Sequence, residues 1–277
     1  MTDRPTLLAV EVPAAEVDLA SGLLWLAGAG AIEERPAPDG GVTLVAAVPS
    51  EEAVRHRLGG RWPVRSLPVE PEERWRDAWR PWAVAVPVDA PGGGLVVAPP
   101  WLGVEDVPAE RVVRVDPGGA FGHGAHPTTR LALDLLARQV RPGDRVLDVG
   151  SGSGVLSVVA ARLGAAEVVA VDTDPEARRV TTDNAVRNQL AVEVVAGLDT
   201  VTGTFDVVVA NLDAPTLVAL GPSIAARAVP GASVILTGVL VDRADAVAAA
   251  CGGTVVHRAE REGWAAIVLW PPTETAP

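Results

Sequence analysis

The run Val146-Leu147-Asp148-Val149-Gly150-Ser151-Gly152-Ser153-Gly154 reads as a strand that enters a tight glycine turn and opens a helix. Glycine supplies positive-φ conformers and lets the backbone approach a ligand closely. The spacing is Gly-x-Gly-x-Gly. The dinucleotide fingerprint would be Gly-x-Gly-x-x-Gly, with a pyrophosphate over the helix N-terminus. Asp148, inside the turn, is a poor neighbour for a diphosphate, and its carboxylate suits a cationic ligand group such as an amine. Asp172 ends the next strand, 22 residues after Gly150. A carboxylate there can accept two hydrogen bonds from ribose hydroxyls. The glycine turn and the acid, each in its proper element, form a much stronger signal together than apart. The competing reading is an ordinary turn and an unrelated strand-end acid.

Such residues need a parallel sheet to hold them, and the chain supplies one from about residue 106. Helices read at Pro127–Val140, Val155–Leu163 and Pro175–Asn188, the last with proline in its first turn. Strands read at Arg145–Val149, Val168–Asp172, Val192–Ala196, Asp206–Asn211, Ser233–Leu236, Thr254–His257 and Ala265–Trp270, with further helices after Asn211 and after Gly238. Continuous Val-rich runs alternating with helices imply a parallel sheet covered on both faces. The last two strands, joined at Glu262-Gly263, read as an antiparallel edge hairpin. Upstream, residues 1–68 read β-α-β-β-α-β, a small ferredoxin-like α+β domain. Its strands are Thr6–Val12, Ala31–Arg35, Val42–Val48 and Trp62–Leu67. Asp39-Gly40-Gly41 gives a hairpin signal, Ala14–Leu26 is helical, and Ser50 caps a short helix. Residues 69–105 form a Trp-rich linker with some structure of its own. Trp75, Trp79 and Trp82 fall on one helical face there, either as packing or as an aromatic wall for a ligand.

Together the glycine turn and Asp172 resemble the class I, S-adenosylmethionine-dependent methyltransferases. The resemblance implies an α/β, Rossmann-like domain with seven strands, the last antiparallel, and S-adenosylmethionine as cofactor. It also implies a reacting group at the end of the next strand. Here that position is Asn211, in Val209-Ala210-Asn211-Leu212-Asp213-Ala214. Its amide can accept a hydrogen bond from an amine and aim the amine's lone pair at the methyl carbon; the alternative for a strand-end Asn is a helix cap. The resemblance then narrows. Asp116-Pro117-Gly118-Gly119-Ala120-Phe121-Gly122-His123-Gly124-Ala125-His126-Pro127-Thr128-Thr129, Asp172-Thr173-Asp174-Pro175 and Ala210-Asn211-Leu212 are similar to the PrmA family. Those enzymes methylate amino groups of the stalk-base protein of the large ribosomal subunit, and their small N-terminal domain holds the protein substrate. By position, Thr129, Gly150, Gly152, Asp172 and Asn211 are then expected at the cofactor or the transfer site. Phe121 and His126 are expected to shape the pocket, with His126 open to a purely structural role. This chain departs from the family at His123, where Thr is usual, and at Asp213 and Pro215, where apolar or aromatic residues are usual. An added imidazole and carboxylate either alter substrate choice or face solvent.

Composition bounds the partners. The chain has 277 residues and a formal charge of −12, and all 23 of its cationic side chains are arginine. A charge of this sign disfavours a generic nucleic-acid binder and suits a basic protein partner. The single cysteine, Cys251, excludes a disulfide framework, reads as core, and disfavours cytosine-C5 chemistry, which needs a cysteine nucleophile. The four His lack metal-ligand spacing, so no metal is expected. No segment offers about 20 uninterrupted apolar residues. The expectation is a cytoplasmic, monomeric enzyme without membrane or direct nucleic-acid contact, its substrate the stalk-base protein. The competing readings are a related methyltransferase for another protein lysine or a small molecule, and a non-catalytic cofactor-binding module.

Overall fold

The computed structural model describes residues 6–271, apart from 28, 30, 38, 39, 49, 68–82, 119, 121 and 123. Trp75, Trp79, Trp82 and the Asp39 of the hairpin signal therefore lie outside the described residues. The chain divides into two compact units, Met1–Trp75 and Arg76–Pro277.

The first unit runs β1 (Thr6–Val12), α1 (Val17–Leu26), β2 (Ala31–Pro36), β3 (Val42–Val48), α2 (Glu51–Leu58) and β4 (Val64–Leu67). The strands pair in the order β2-β3-β1-β4, every pair antiparallel. Side chains alternate across a strand, so Leu8, Val10 and Val12 of β1 and Leu44, Ala46 and Val48 of β3 share one face. They form one core with Ala20 and Leu24 of α1 and Val54 and Leu58 of α2. Ser50 caps α2, its Oγ accepting the Ala53 N–H at 3.2 Å. Trp62, buried before β4, donates from Nε1 to Glu16 at 2.7 Å.

The second unit begins with a three-stranded sheet of β5 (Val86–Val88), β6 (Leu95–Ala98) and β7 (Val112–Arg114). Two of these strands fall inside the span 69–105, and β6 pairs in parallel with β7 beyond it. The described part of that span therefore belongs to the second unit's packing. Next come α3 (Pro127–Gln139), β8 (Arg145–Val149), α4 (Val155–Arg162), β9 (Glu167–Val171), α5 (Pro175–Arg187), β10 (Glu193–Val195), β11 (Phe205–Asn211), α6 (Ala214–Ala225), β12 (Ala228–Leu240), α7 (Ala244–Cys251), β13 (Thr254–Arg261) and β14 (Trp264–Trp270). The larger sheet has the order β10-β9-β8-β11-β12-β14-β13. Its first five strands are parallel; β14 runs antiparallel to them, and β13, antiparallel to β14, runs in their direction again. Glu262 and Gly263 both take positive φ, as the two-residue turn between β13 and β14 requires.

The Val-rich runs are buried on both faces. Val146, Val168, Val207, Val209 and Ile235 face a core built with Leu133 and Leu136 of α3 and Val158 and Val159 of α4. Their neighbours Leu147, Val169, Val208, Ala210, Val234 and Leu236 face a second core with Leu217 and Ile224 of α6 and Val247 and Cys251 of α7. Burial pushes the Cys251 thiol up to about 11, so it packs as a small apolar side chain. β12 is much longer than Ser233–Leu236. It runs through Pro230-Gly231 and through Gly238, where the register with β14 shifts between Thr237 and Val239. Among the described residues no helix is long and apolar enough to cross a membrane.

The two helices of the second core meet without side chains at one point. A Cβ on Gly221 of α6 would sit 2.9 Å from the backbone C and O of Ala250 in α7. Helix propensity favours Gly221→Ala by about 1 kcal/mol, whereas forced overpacking costs about 1–3 kcal/mol. Gly221→Ala should lower the melting temperature, measured by calorimetry; a rise would mean that α6 and α7 separate freely.

Candidate active site

β8 stands where the sheet changes direction: β9 and β10 follow on one side, β11 and β12 on the other. A crevice opens outside the carboxyl ends of strands at such a point. There the chain forms a cavity of about 570 Å³, within the usual size range for small-molecule sites. Thr129, Gly150, Gly152, Asp172, Asn211 and His126 all line it. Phe121 and His123 lie outside the described residues, although Gly122 between them reaches the wall.

The glycine turn is held tightly. Gly150 has φ 78° and donates its N–H to Val171 O at 2.8 Å, tying the end of β8 to the end of β9. Its own Cβ would meet Leu212 Cδ2 at 2.3 Å, so a side chain here would have to displace Leu212 as well as adopt a positive φ. Gly152 donates its N–H to Asp172 Oδ2 at 2.9 Å, and Asp174 donates its N–H to Asp172 Oδ1 at 3.0 Å. The Asp172 carboxylate is thereby fixed with one further lone pair on each oxygen. On the far side of β8, Asn211 ends β11 and donates from Nδ2 to Oγ1 of the fully buried Thr129 at 3.4 Å. Its carbonyl Oδ1 remains as an acceptor. His126 is the N-cap of α3: Nδ1 accepts the Thr128 N–H at 3.3 Å and lies 2.8 Å from Thr128 Oγ1. Its ring meets Trp264 edge-on at 5.3 Å, so the structural reading of His126 and its place in the wall hold together. Asp213 caps α6 through Thr216, which holds its carboxyl below the usual carboxylate range.

Asp148 does not reach the wall. It is fully buried in β8; Oδ2 accepts the Ser157 hydroxyl at 2.5 Å, and Oδ1 has no partner among the described residues. Burial pushes its carboxyl up to about 6, against the Ser157 bonds and with help from the charge of Asp172. Several site features are not signalled by local pattern. Trp264, Leu198, Leu220 and Gly238 join the wall only through the fold. Asn184 on α5 donates to Asp116 O and Ser153 O, both at 2.9 Å, and accepts the Asp116 N–H. Ser153 in turn donates its hydroxyl to Gly122 O at 2.6 Å. The segment 116–122 is thus fastened to the glycine turn at two points. A helix face carrying Thr181, Asn184 and Asn188 is the one sequence sign of this, since a buried polar stripe must find partners.

A glycine turn after the first sheet strand, an acid after the second and a reversed β14 define an α/β fold with a mixed central sheet, similar to the class I methyltransferases. The family described as ribosomal protein L11 methyltransferase (PrmA) matches residues 67–270. A ribosomal protein L11 methyltransferase of Pelotomaculum thermopropionicum is 46% identical over 203 residues, 71% of this chain; the chain spans 65% of that relative's length. One from Chloroflexus aurantiacus is 36% identical over 287 residues, covering 88% of this chain and 87% of its own. The crystal structure of a ribosomal protein L11 methylase from Lactobacillus delbrueckii subsp. bulgaricus superposes with a TM-score of 0.59 at 27% identity, over 65% of this chain and 94% of that one. The chain belongs to the ribosomal protein L11 methyltransferase family.

Asp148 gives the site a pH signature. Its carboxyl titrates higher folded than unfolded, so the folded state binds the proton more tightly. Stability from this group is full below the ordinary value of 3.8 and is lost as pH rises through about 6. Asp148→Asn should therefore raise the melting temperature of the ligand-free protein above pH 6 and change it little at pH 3.5. An equal change at both pH values would show that the carboxyl is not perturbed.

Proposed function

We propose that the chain transfers methyl groups from S-adenosylmethionine to lysine or N-terminal amines of ribosomal protein L11, the stalk-base protein of the large subunit. The observation that carries this reading is the meeting of the glycine turn, Asp172 and Asn211 in one cavity. The residues present fit the cofactor. Asp172 keeps lone pairs for ribose hydroxyls, and Leu198 and Leu220 offer an apolar wall to a flat base. The unpartnered Oδ1 of Asp148 gives a buried negative counterpart behind the turn for the amino group. Thr129, Gly150 and Gly152 complete the cradle and His126 shapes its pocket; a part for Phe121, outside the described residues, rests on the family resemblance alone.

S-adenosylmethionine supplies a methyl group made electrophilic by its sulfonium. The chain's own part is positioning and exclusion of water. Asn211, with Nδ2 turned to Thr129, offers Oδ1 to an amine N–H and so orients the nitrogen lone pair. The amine reacts as the neutral base; the apolar walls disfavour its ammonium form, and water takes the proton. Asn211 is thus the catalytic residue of this reading.

The same reading assigns residues 1–68 to substrate recognition and 106–277 to the methyltransferase domain, and the described part of 69–105 joins the latter through β5 and β6 rather than acting as a free linker. The order β4-β1-β3-β2, with helices after β1 and β3, supports a ferredoxin-like first domain. The seven-strand order of the larger sheet supports the class I assignment. The charge of −12 supports a basic protein substrate rather than direct nucleic-acid binding. A cytoplasmic monomer completes the proposal.

Incubation with methyl-labelled cofactor and large-subunit ribosomal proteins tests it. One labelled band, L11, is expected. Label on another protein or a small molecule favours a related methyltransferase of different substrate, and binding without transfer a non-catalytic module. Asn211→Ala should lower kcat by roughly 100-fold and change cofactor affinity much less. Asp172→Ala should weaken cofactor binding by about tenfold or more in calorimetry, through loss of charged hydrogen bonds. Unchanged turnover in the first variant removes Asn211 from the mechanism, and unchanged affinity in the second removes Asp172 from the cofactor site.

A further inference from the structure

Two described carboxylates line the cavity, Asp172 and Asp213, and no arginine is among the described lining residues. They stand on opposite sides of the glycine turn. Asp172 follows β9 and Asp213 follows β11, with β8 between them, so two strand spacings, about 10 Å, separate their strands. Asp172 is held by the Gly152 and Asp174 N–H groups on the side assigned to the ribose. Asp213 lies two residues past Asn211, on the side of methyl transfer, and is left without a part in the reaction.

We propose that Asp213 determines substrate specificity at the transfer site: its carboxylate at the cavity mouth attracts and orients the substrate's ammonium group beside Asn211 before transfer. The inference rests on the methylation reading above and names the group that selects a cationic substrate. Three observations carry it. The carboxylate is fixed, because Oδ1 accepts the Thr216 N–H at 3.0 Å and Oδ2 the Thr216 hydroxyl at 2.8 Å. Thr216 itself lines the cavity, so the fixed carboxylate stays at the wall, and each oxygen keeps a lone pair for an N⁺–H donor. Asp213 is also exposed, which lets an incoming protein amine reach it.

The Thr216 bonds hold the carboxyl low, so Asp213 is ionised at neutral pH. A carboxylate so held is a poor proton acceptor and does not act as the base. It gathers the ammonium electrostatically at the exposed mouth; moving on from the carboxylate to the apolar wall beside Asn211, the amine loses its proton to water and turns its lone pair to the cofactor. An attraction of this kind acts on capture of the substrate and weakens with salt.

The cap must be separated from the charge. Asp213→Asn and Asp213→Ser both keep a side-chain acceptor for the first turn of α6 and both remove the negative charge. Initial rates with L11 and S-adenosylmethionine at low and high salt, thermal melting and calorimetric cofactor binding together give the test. In both variants the KM for L11 should rise about tenfold, the size expected for loss of one charge-assisted contact, and the salt dependence of kcat/KM should flatten. The melting temperature should stay within about 2 °C and the cofactor Kd within about twofold, as capping is retained. A KM within twofold of the parent in both variants, while the parent methylates L11, overturns the inference. So does a KM rise matched by an equal loss of cofactor affinity, which would place the effect in the cap. Failure of the parent chain to methylate L11 overturns the underlying reading, and this one with it.

Discussion

Leu212 occupies the point where three strand ends converge. A Cβ on Gly150, at the end of β8, would lie 2.3 Å from its Cδ2, and one on Gly238, in β12, would lie 2.3 Å from its carbonyl oxygen. Its N–H meanwhile donates to Thr237 O at 3.0 Å. Backbone and side chain of one residue thus fill the space that two other strands would need for any side chain. The rest of the site follows from this closeness. Asn211 and Asp213 flank Leu212, so their directions are set by how it is wedged. Gly150 must take positive φ there, and that conformation turns the chain into α4. The glycine turn is therefore shaped from below by packing as much as from above by a ligand.

A second constraint comes from the two buried faces of the sheet. Successive residues of β8, β9, β11 and β12 pass into different cores, so almost no position in these strands is free for a polar group. Asp148 of β8 and Thr237 of β12 are the fully buried exceptions, and Asp148 lies in the strand that opens the glycine turn. Other buried polar groups lie in the glycine turn, on α3 and α4 at Thr128, Thr129 and Ser157, and on the inward stripe of α5. There Asn184 satisfies backbone groups of Asp116 and Ser153 that would be costly to bury unpaired.

Features that depend on local backbone chemistry were legible in the sequence. The glycine turn, Asp172, Asn211, the Ser50 cap and the β13–β14 turn all announce themselves through residue type and spacing. What escaped depends on tertiary contact. Pro230-Gly231 and Gly238 look like breaks, yet β12 passes through both: a register shift between Ala228 and Ser233 absorbs the first, and a bulge between Thr237 and Val239 the second. Pro91 and Gly92-Gly93-Gly94 hid the short β5–β6 hairpin in the same way, being the turn itself. Trp264 and Leu220 carry no signal of a site, because they reach the cavity from elements far along the chain. His126 was open between structural and site roles; the geometry shows a cap that also lines the cavity.

The unpartnered oxygen of Asp148 has a consequence for the lifetime of the protein in a cell. A buried carboxylate without a counter-charge makes the empty fold less stable than its packing alone would allow. A cationic ligand bound nearby would remove that imbalance as well as adding its own binding energy, about 2.7 kcal/mol at a hundred times Kd. If the cavity holds S-adenosylmethionine as proposed, the folded fraction would follow the supply of that methyl donor. When the donor is scarce, the empty chain is the form that opens most often, and opening exposes it to proteolysis. Enzyme abundance and donor supply would in this way fall together without any dedicated regulator.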